Sequence, residues 1–99
     1  MVFFDLPVKK EKDRRVYTKF RKFLIQDGYD MLQYSVYSRF CVNLDHVMKH
    51  EKRLRSELPK RGSIRAMIVT DKQFGEMKIM VGERTSQEEV IGDNQLIMF

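Results

Sequence analysis

The segment from Lys12 to Asp27 constrains the fold more than any other. Its apolar residues recur at Val16, Phe20, Phe23 and Leu24, within an arc of about 100° on a helical wheel. Arg14, Thr18, Arg21, Lys22 and Ile25 project from the opposite side. Such a helix is committed to one buried face and one charged face. Gly28 follows its last turn, where a left-handed cap is expected. Ahead of the helix stands Val2-Phe3-Phe4, a short run of strand formers ended by Asp5-Leu6-Pro7. Proline has no N–H and fixes φ, so a central strand stops there.

Tyr29 to Val42 is rich in Tyr, Val and Phe and reads as extended chain. One bent strand and two short strands meeting near Ser35 to Ser38 both fit it. Asn43 or Asp45 then caps a second helix running to Leu58, which Pro59 terminates. Leu44, Val47, Met48, Leu54 and Leu58 form its apolar stripe, and Glu51 and Arg55 fall inside it. A stripe holding an ion pair belongs at an interface or an edge, because an unpaired buried charge is costly. Gly62 opens a third extended stretch, Ser63 to Thr70. Asp71 to Gly75 reads as a connection and Lys78 to Val81 as the next strand. Thr85 to Asn94 is polar, with Gly92-Asp93-Asn94 as a loop signal. Gln95 to Phe99 predicts a terminal strand whose unpaired apolar edge would invite aggregation, so it is expected to pair with another chain or across the same sheet.

This order predicts an α+β fold, one antiparallel sheet with two helices on a single face. A chain of 99 residues buries only about 60–65% of its unfolded surface. The sheet's other face therefore needs a cover, and dimerisation is the economical way to supply it. The expected organisation is a domain over residues 1–82 and an extension over 83–99 carrying the terminal strand. No apolar run approaches the roughly 18 residues of a membrane span. A secretory leader is not expected either, since Asp5 and Pro7 interrupt the apolar start and Lys9 to Lys22 is densely charged. The single cysteine, Cys41, excludes an internal disulfide framework and a thiolate zinc cluster. A reducing, cytoplasmic setting is the expectation.

Charge is distributed unevenly. Lys9 to Asp27 carries eight Lys or Arg against Glu11, Asp13 and Asp27, a net of +5. Leu44 to Arg61 carries six against Asp45, Glu51 and Glu57, a net of +3. Glu83 to Phe99 carries Arg84 against Glu83, Glu88, Glu89 and Asp93, a net of −3. The two basic segments could face nucleic acid or be solvated helix faces; charge alone does not separate these.

Asp5 is the residue that most invites chemistry. A carboxylate directly after an apolar strand is held rigidly, yet one carboxylate holds a divalent cation poorly. A two-fold axis beside it would supply a second Asp5 and make a two-carboxylate metal site. The plainer alternative is a turn residue before Pro7. His46 and His50, at i and i+4, share a helix face. Zinc would need a third ligand, with Cys41 and Glu51 the near candidates, and Lys49, Lys52 and Arg53 oppose a cation there. A solvated or phosphate-facing pair is the expectation. Cys41 reads as a small buried hydrophobe. Tyr17, Phe20 and Phe23 fit helical packing, while Tyr34 and Tyr37 are the better candidates for exposed rings that stack on bases.

Taken together, Val2-Phe3-Phe4-Asp5-Leu6-Pro7, Arg14-Arg15-Val16 through Phe23-Leu24, Gly28-Tyr29 and Gln33-Tyr34-Ser35-Val36-Tyr37 resemble the second CRISPR-associated protein family, in the variety that accompanies Cas9-type systems. Ile68 to Phe74, Lys78 to Gly82 and Leu96 to Phe99 extend the likeness. The resemblance implies a ferredoxin-like fold and a homodimer in which the terminal strand pairs at the interface. It implies that Asp5 of each subunit is both the catalytic residue and the metal ligand, sharing Mg2+ or Mn2+ in an endonuclease acting on RNA or double-stranded DNA. It also implies a role in spacer acquisition, bridging CRISPR-associated integrase subunits and holding the new protospacer duplex. Arg14 and Arg15 match the phosphate-contacting positions, with Lys19, Arg21 and Lys22 as extensions. The first strand is shorter than the family's, and Met31 replaces a residue that is often basic. Both departures weigh against cleavage more than against scaffolding.

Three functions are therefore expected in order: a DNA-binding subunit of the integration complex, an autonomous metal-dependent endonuclease, and a regulatory interaction module without nucleic acid. Glu88, Glu89 and Asp93 could dock a basic patch on the integrase.

Overall fold

The computed structural model describes residues 1–83 and 97–99. The elements follow the order β1 (Val2–Asp5), α1 (Glu11–Gln26), β2 (Asp30–Gln33), β3 (Val36–Ser38), β4 (Phe40–Cys41), α2 (Leu44–Ser56), β5 (Ser63–Ala66), β6 (Val69–Thr70), α3 (Asp71–Gly75) and β7 (Ile97–Met98). Four strands form an antiparallel sheet in the order β2-β3-β1-β5. With α1 and α2 crossing one face, this is a ferredoxin-like α+β fold. The stretch Tyr29 to Val42 divides into three strand segments, of which β2 and β3 form a hairpin through Tyr34 and Ser35.

The alternation of β1 sorts the core into two layers. Val2 and Phe4 face the helices and pack with Phe20 and Leu24 of α1, Val47 and Leu54 of α2, and Tyr37 of β3. Phe3 faces the other way and meets Met1, Phe74 of α3 and Met98 of β7, together with Leu32, Val36, Phe40 and Val69. The chain thus covers part of its own second face. The cover is a small sheet in the order β4-β7-β6 and the short helix α3. The terminal strand expected from the sequence is present, and within the single chain its partners are β4 and β6.

The C-terminus of α1 closes as the glycine predicts. Gly28 has φ +90°, its N–H donates to the Ile25 carbonyl, and the Tyr29 N–H donates to the Leu24 carbonyl, a Schellman pattern. Helix α2 begins at Asn43, whose Oδ1 accepts the His46 N–H at 2.8 Å.

Several expectations need correction. Lys78 to Val81 is not a strand, and Val81 is 95% exposed. Both places beside β1 are taken, by β3 and β5. Ser63 to Thr70 is broken at Met67-Ile68 into two strands that serve different sheets. Asp71 to Gly75 is a helix, because Thr70 Oγ1 accepts the Gln73 N–H while Gln73 Oε1 accepts the Thr70 N–H, a capping box. The helical faces are rotated from the expected stripes. In α1, Val16 is exposed and Tyr17 packs on the core. In α2, Val47, His50 and Leu54 are buried whereas Leu44, Met48 and Leu58 are exposed. Glu51 and Arg55 form a loose surface pair at 3.9 Å. The acidic positions Glu88, Glu89 and Asp93, the loop signal Gly92 to Asn94 and most of the 83–99 extension lie outside the described residues.

Candidate nucleic-acid interface

The last residue of β1 is Asp5, exposed and paired in register with Ser63 of β5. Its backbone position is set by close packing. Gly62 has φ +98°, and a Cβ there would lie 2.8 Å from the Asp5 carbonyl and 2.6 Å from Leu6 Cδ2. Only glycine lets the loop after α2 approach this closely in that conformation. On the other side, the Phe4 N–H donates to the Ser35 carbonyl at 3.1 Å, and Ser35 itself has φ 62°. A non-glycine residue in that region is uncommon. It tightens the β2–β3 turn beside the end of β1. Among the described residues, the Asp5 carboxylate enters no hydrogen bond or ion pair. No group of three His, Cys, Asp or Glu side chains among them could hold a metal ion. One chain therefore does not furnish a cation site; a second Asp5 would be required.

The outer face of α1 gathers most of the expected phosphate-binding residues. Arg14, Arg15, Lys19 and Lys22 line one shallow groove with Thr18, and Glu57 at the end of α2 closes its far side. Their commitments differ. Arg14 Nη1 donates to the Val8 and Lys9 carbonyls, at 3.1 and 3.0 Å, and so fastens the loop that leads into the helix. Arg15 pairs with Glu11 at 2.9 Å, but both side chains are largely in solvent, where such a pair is weak. Lys19 and Lys22 are exposed and enter no ion pair among the described residues. Arg21 stands apart from the groove. Its Nε donates to the Tyr37 hydroxyl at 2.8 Å, a bond that holds its pKa above the ordinary arginine value.

Of the two tyrosines expected at the surface, Tyr34 is 75% exposed while Tyr37 is buried at 1%. Tyr37 stacks on Phe4 with ring centroids 5.6 Å apart, so it belongs to the core. Cys41 is buried, and burial pushes its thiol pKa up, which leaves it inert as a nucleophile.

The histidine pair overturns its expectation. His50 is only 2% exposed, and its Nδ1 lies 2.7 Å from Asp27 Oδ2. His46 Nδ1 accepts the Val42 N–H at 3.2 Å, and the two Nε2 atoms are 3.1 Å apart. This network assigns the tautomers: His46 Nε2–H donates to His50 Nε2, and His50 Nδ1–H donates to the Asp27 carboxylate. Arg53 completes the cluster at 2.9 Å from Asp27 Oδ1, and Arg39 Nε donates to the Asp27 carbonyl at 2.7 Å. Burial, then Arg39 and His50, lowers the His46 pKa from its ordinary value. Through the buried His50 the pair ties α2 to the end of α1, with His46 half-buried beside it. Sequence reasoning missed Asp27, because the partner of His50 lies 23 residues away on another helix. Arg39, Gly62 and Ser35 likewise carried no local signal.

The family model described as CRISPR associated protein Cas2 matches residues 1–77. Proteins named CRISPR-associated endoribonuclease Cas2 are similar along the chain. The one from Acidovorax ebreus is 50% identical over all of this chain and 97% of its own length. That from Flavobacterium psychrophilum is 45% identical over 85% of this chain and 73% of its own. That from Parvibaculum lavamentivorans is 40% identical over all of this chain and 97% of its own. Among the described residues, no helix is long and apolar enough to cross a membrane. With a ferredoxin-like sheet, an Asp-ended first strand and a family match over most of its length, this chain belongs to the Cas2 family.

Proposed function

We propose that the chain is a homodimeric, nucleic-acid-binding subunit of the spacer-acquisition complex, holding duplex DNA on the outer face of α1 while it contacts the integrase. The observation that carries this reading is the groove lined by Arg14, Arg15, Lys19 and Lys22. Its charges sit on one helix, and phosphate contact by such a row of Lys and Arg needs no base edge, which suits sequence-independent binding. The test is duplex binding by the purified protein across a range of salt concentrations, with co-purification of the integrase. The reading expects log K to fall by about 0.9 per released counterion against log salt. Protein that neither binds duplex DNA at low salt nor retains the integrase would sink it and leave the interaction-module reading.

A second reading is favoured by Asp5. Its carboxylate is exposed and unpartnered among the described residues, and the similar proteins are named endoribonucleases. Asp5 from two copies would hold Mg2+ or Mn2+, which would supply an activated water and neutralise phosphate charge. Cleavage of end-labelled single-stranded RNA and duplex DNA by the wild type and Asp5→Asn, with and without Mg2+, decides it. Metal-dependent cleavage that Asp5→Asn abolishes is expected. Equal cleavage by both proteins would remove Asp5 from the reaction.

A further inference from the structure

Neither reading uses Tyr34. Its ring is largely in solvent, which is costly for an aromatic surface, yet it is firmly seated. One face stacks on Tyr17, with centroids 6.2 Å apart and an interplanar angle of 24°. Tyr17 leans on Phe4 at 5.8 Å, and Phe4 packs on Phe20 and Tyr37 at 5.3 and 5.6 Å. An aromatic column thus runs from the core to the surface and ends in Tyr34. The turn that carries it is fixed by the bond from Phe4 N–H to the Ser35 carbonyl.

The charge around this column is also specific. Arg14 and Arg21 flank Tyr17 on α1, at i−3 and i+4, and so share its side of the helix. Both guanidiniums are held by neutral groups: Arg21 by the Tyr37 hydroxyl, and Arg14 by the Val8 and Lys9 carbonyls. Among the described residues neither has a carboxylate partner. Both therefore keep a full positive charge in a fixed place. Arg14 uses only Nη1 and Arg21 only Nε in these bonds, so each fork retains donors for an anion.

An exposed aromatic face, stacked on a helix residue whose own stripe carries two oriented and uncompensated guanidiniums, fits a base with its flanking phosphates. We infer that Tyr34, seated on Tyr17, is a stacking site for an unpaired nucleobase, with Arg14 and Arg21 holding the phosphates on either side. Bases inside a duplex are already stacked on both faces, so the ligand is a single-stranded end, overhang or loop. The inference rests on the nucleic-acid reading above and narrows its substrate.

The test uses the full chain, which contains no tryptophan, and a duplex bearing a short overhang with 2-aminopurine in it. The same duplex without the overhang is the reference. Wild type should quench the 2-aminopurine and bind the overhang form more tightly than the blunt form. Tyr34→Ala and Tyr34→Leu should lose the quench and about five- to hundredfold in overhang affinity, with blunt-end affinity and thermal midpoint unchanged. Tyr34→Phe should retain both signals. Quench and overhang affinity that survive in Tyr34→Ala would overturn the stacking site while leaving duplex binding intact. An equal loss on blunt and overhang forms would overturn it too. Wild type that binds neither form would remove the parent reading together with this one.

Discussion

At the C-terminal end of α1, Asp27 is bound to His50, Arg53 and Arg39 at 2.7–2.9 Å, whereas along the outer face of the same helix Lys19 and Lys22 meet no carboxylate among the described residues. The centre of the first set, Asp27 with His50, is buried and partnered on both sides. The second is exposed and keeps its charge. One helix thus carries charges that hold the fold and charges left over for a partner. Burial and pairing separate the two, where net charge along the sequence does not.

That contrast makes stability and binding separable. Asp27→Ala should destabilise the fold by about 2–3 kcal/mol, since it leaves the His50 N–H buried without an acceptor, while the salt dependence of DNA binding stays unchanged. Denaturant titration checks it; a variant as stable as wild type would show that the cluster does not hold the helices together. Gly62→Ala should cost about 2 kcal/mol through its positive φ and the clash with the Asp5 carbonyl. It should also disturb any activity that depends on Asp5, so a stable and unaltered variant would show that this packing does not set the strand end.

Acid should weaken the Asp27 cluster in a defined direction. The folded-state pKa of His46 is lowered, so as pH falls through about 6.5 the unfolded chain takes up the proton first. The stability contributed above that pH is then lost progressively towards the lower, folded pKa. Denaturation midpoints taken from pH 7.5 down to 5 should fall, and His46→Gln should flatten the fall. The smallest change in stability, within about 0.5 kcal/mol, belongs to Lys19→Ala with Lys22→Ala. The same double variant should reduce the slope of log K against log salt by about 1.8. An unchanged slope would place the DNA elsewhere on the molecule.

The sequence made the architecture legible where signals are local. The Val2-Phe3-Phe4 strand, the helix ending at Gly28 and the Asn43 cap all rest on residues within a turn of each other. It failed where one residue stands in for another type. His50 reads as one of a solvated pair, but Asp27 and His46 satisfy both ring nitrogens and make it a core residue, which rotates the buried face of α2 away from Leu44 and Met48. Tyr17 packs as its spacing predicts, and because its ring closes on Phe4 it takes the core position that Val16 was expected to share. Lys78 to Val81 has the composition of a strand, yet it joins neither sheet. Of the candidate site, the basic character of α1 is readable from charge, while its assignment to phosphate rests on the resemblance. The tether between Arg21 and Tyr37 is not readable, since it joins a helix to a strand 16 residues on.

The small sheet adds a consequence for the order of folding. Its central strand is β7, and each of its pairings reaches across a long span of sequence: Phe40 to Met98, and Val69 to Met98. Closing such a loop costs entropy before any contact repays it. Within the four-stranded sheet only the β2–β3 hairpin closes locally, since Val2 to Ala66 spans more chain than either pairing of β7, so that hairpin is the part that can form first. In reverse, the small sheet is the natural first unit to open. Its departure would uncover Phe3 and Val36 and would also take Cys41 and Phe99 out of the helix-facing layer.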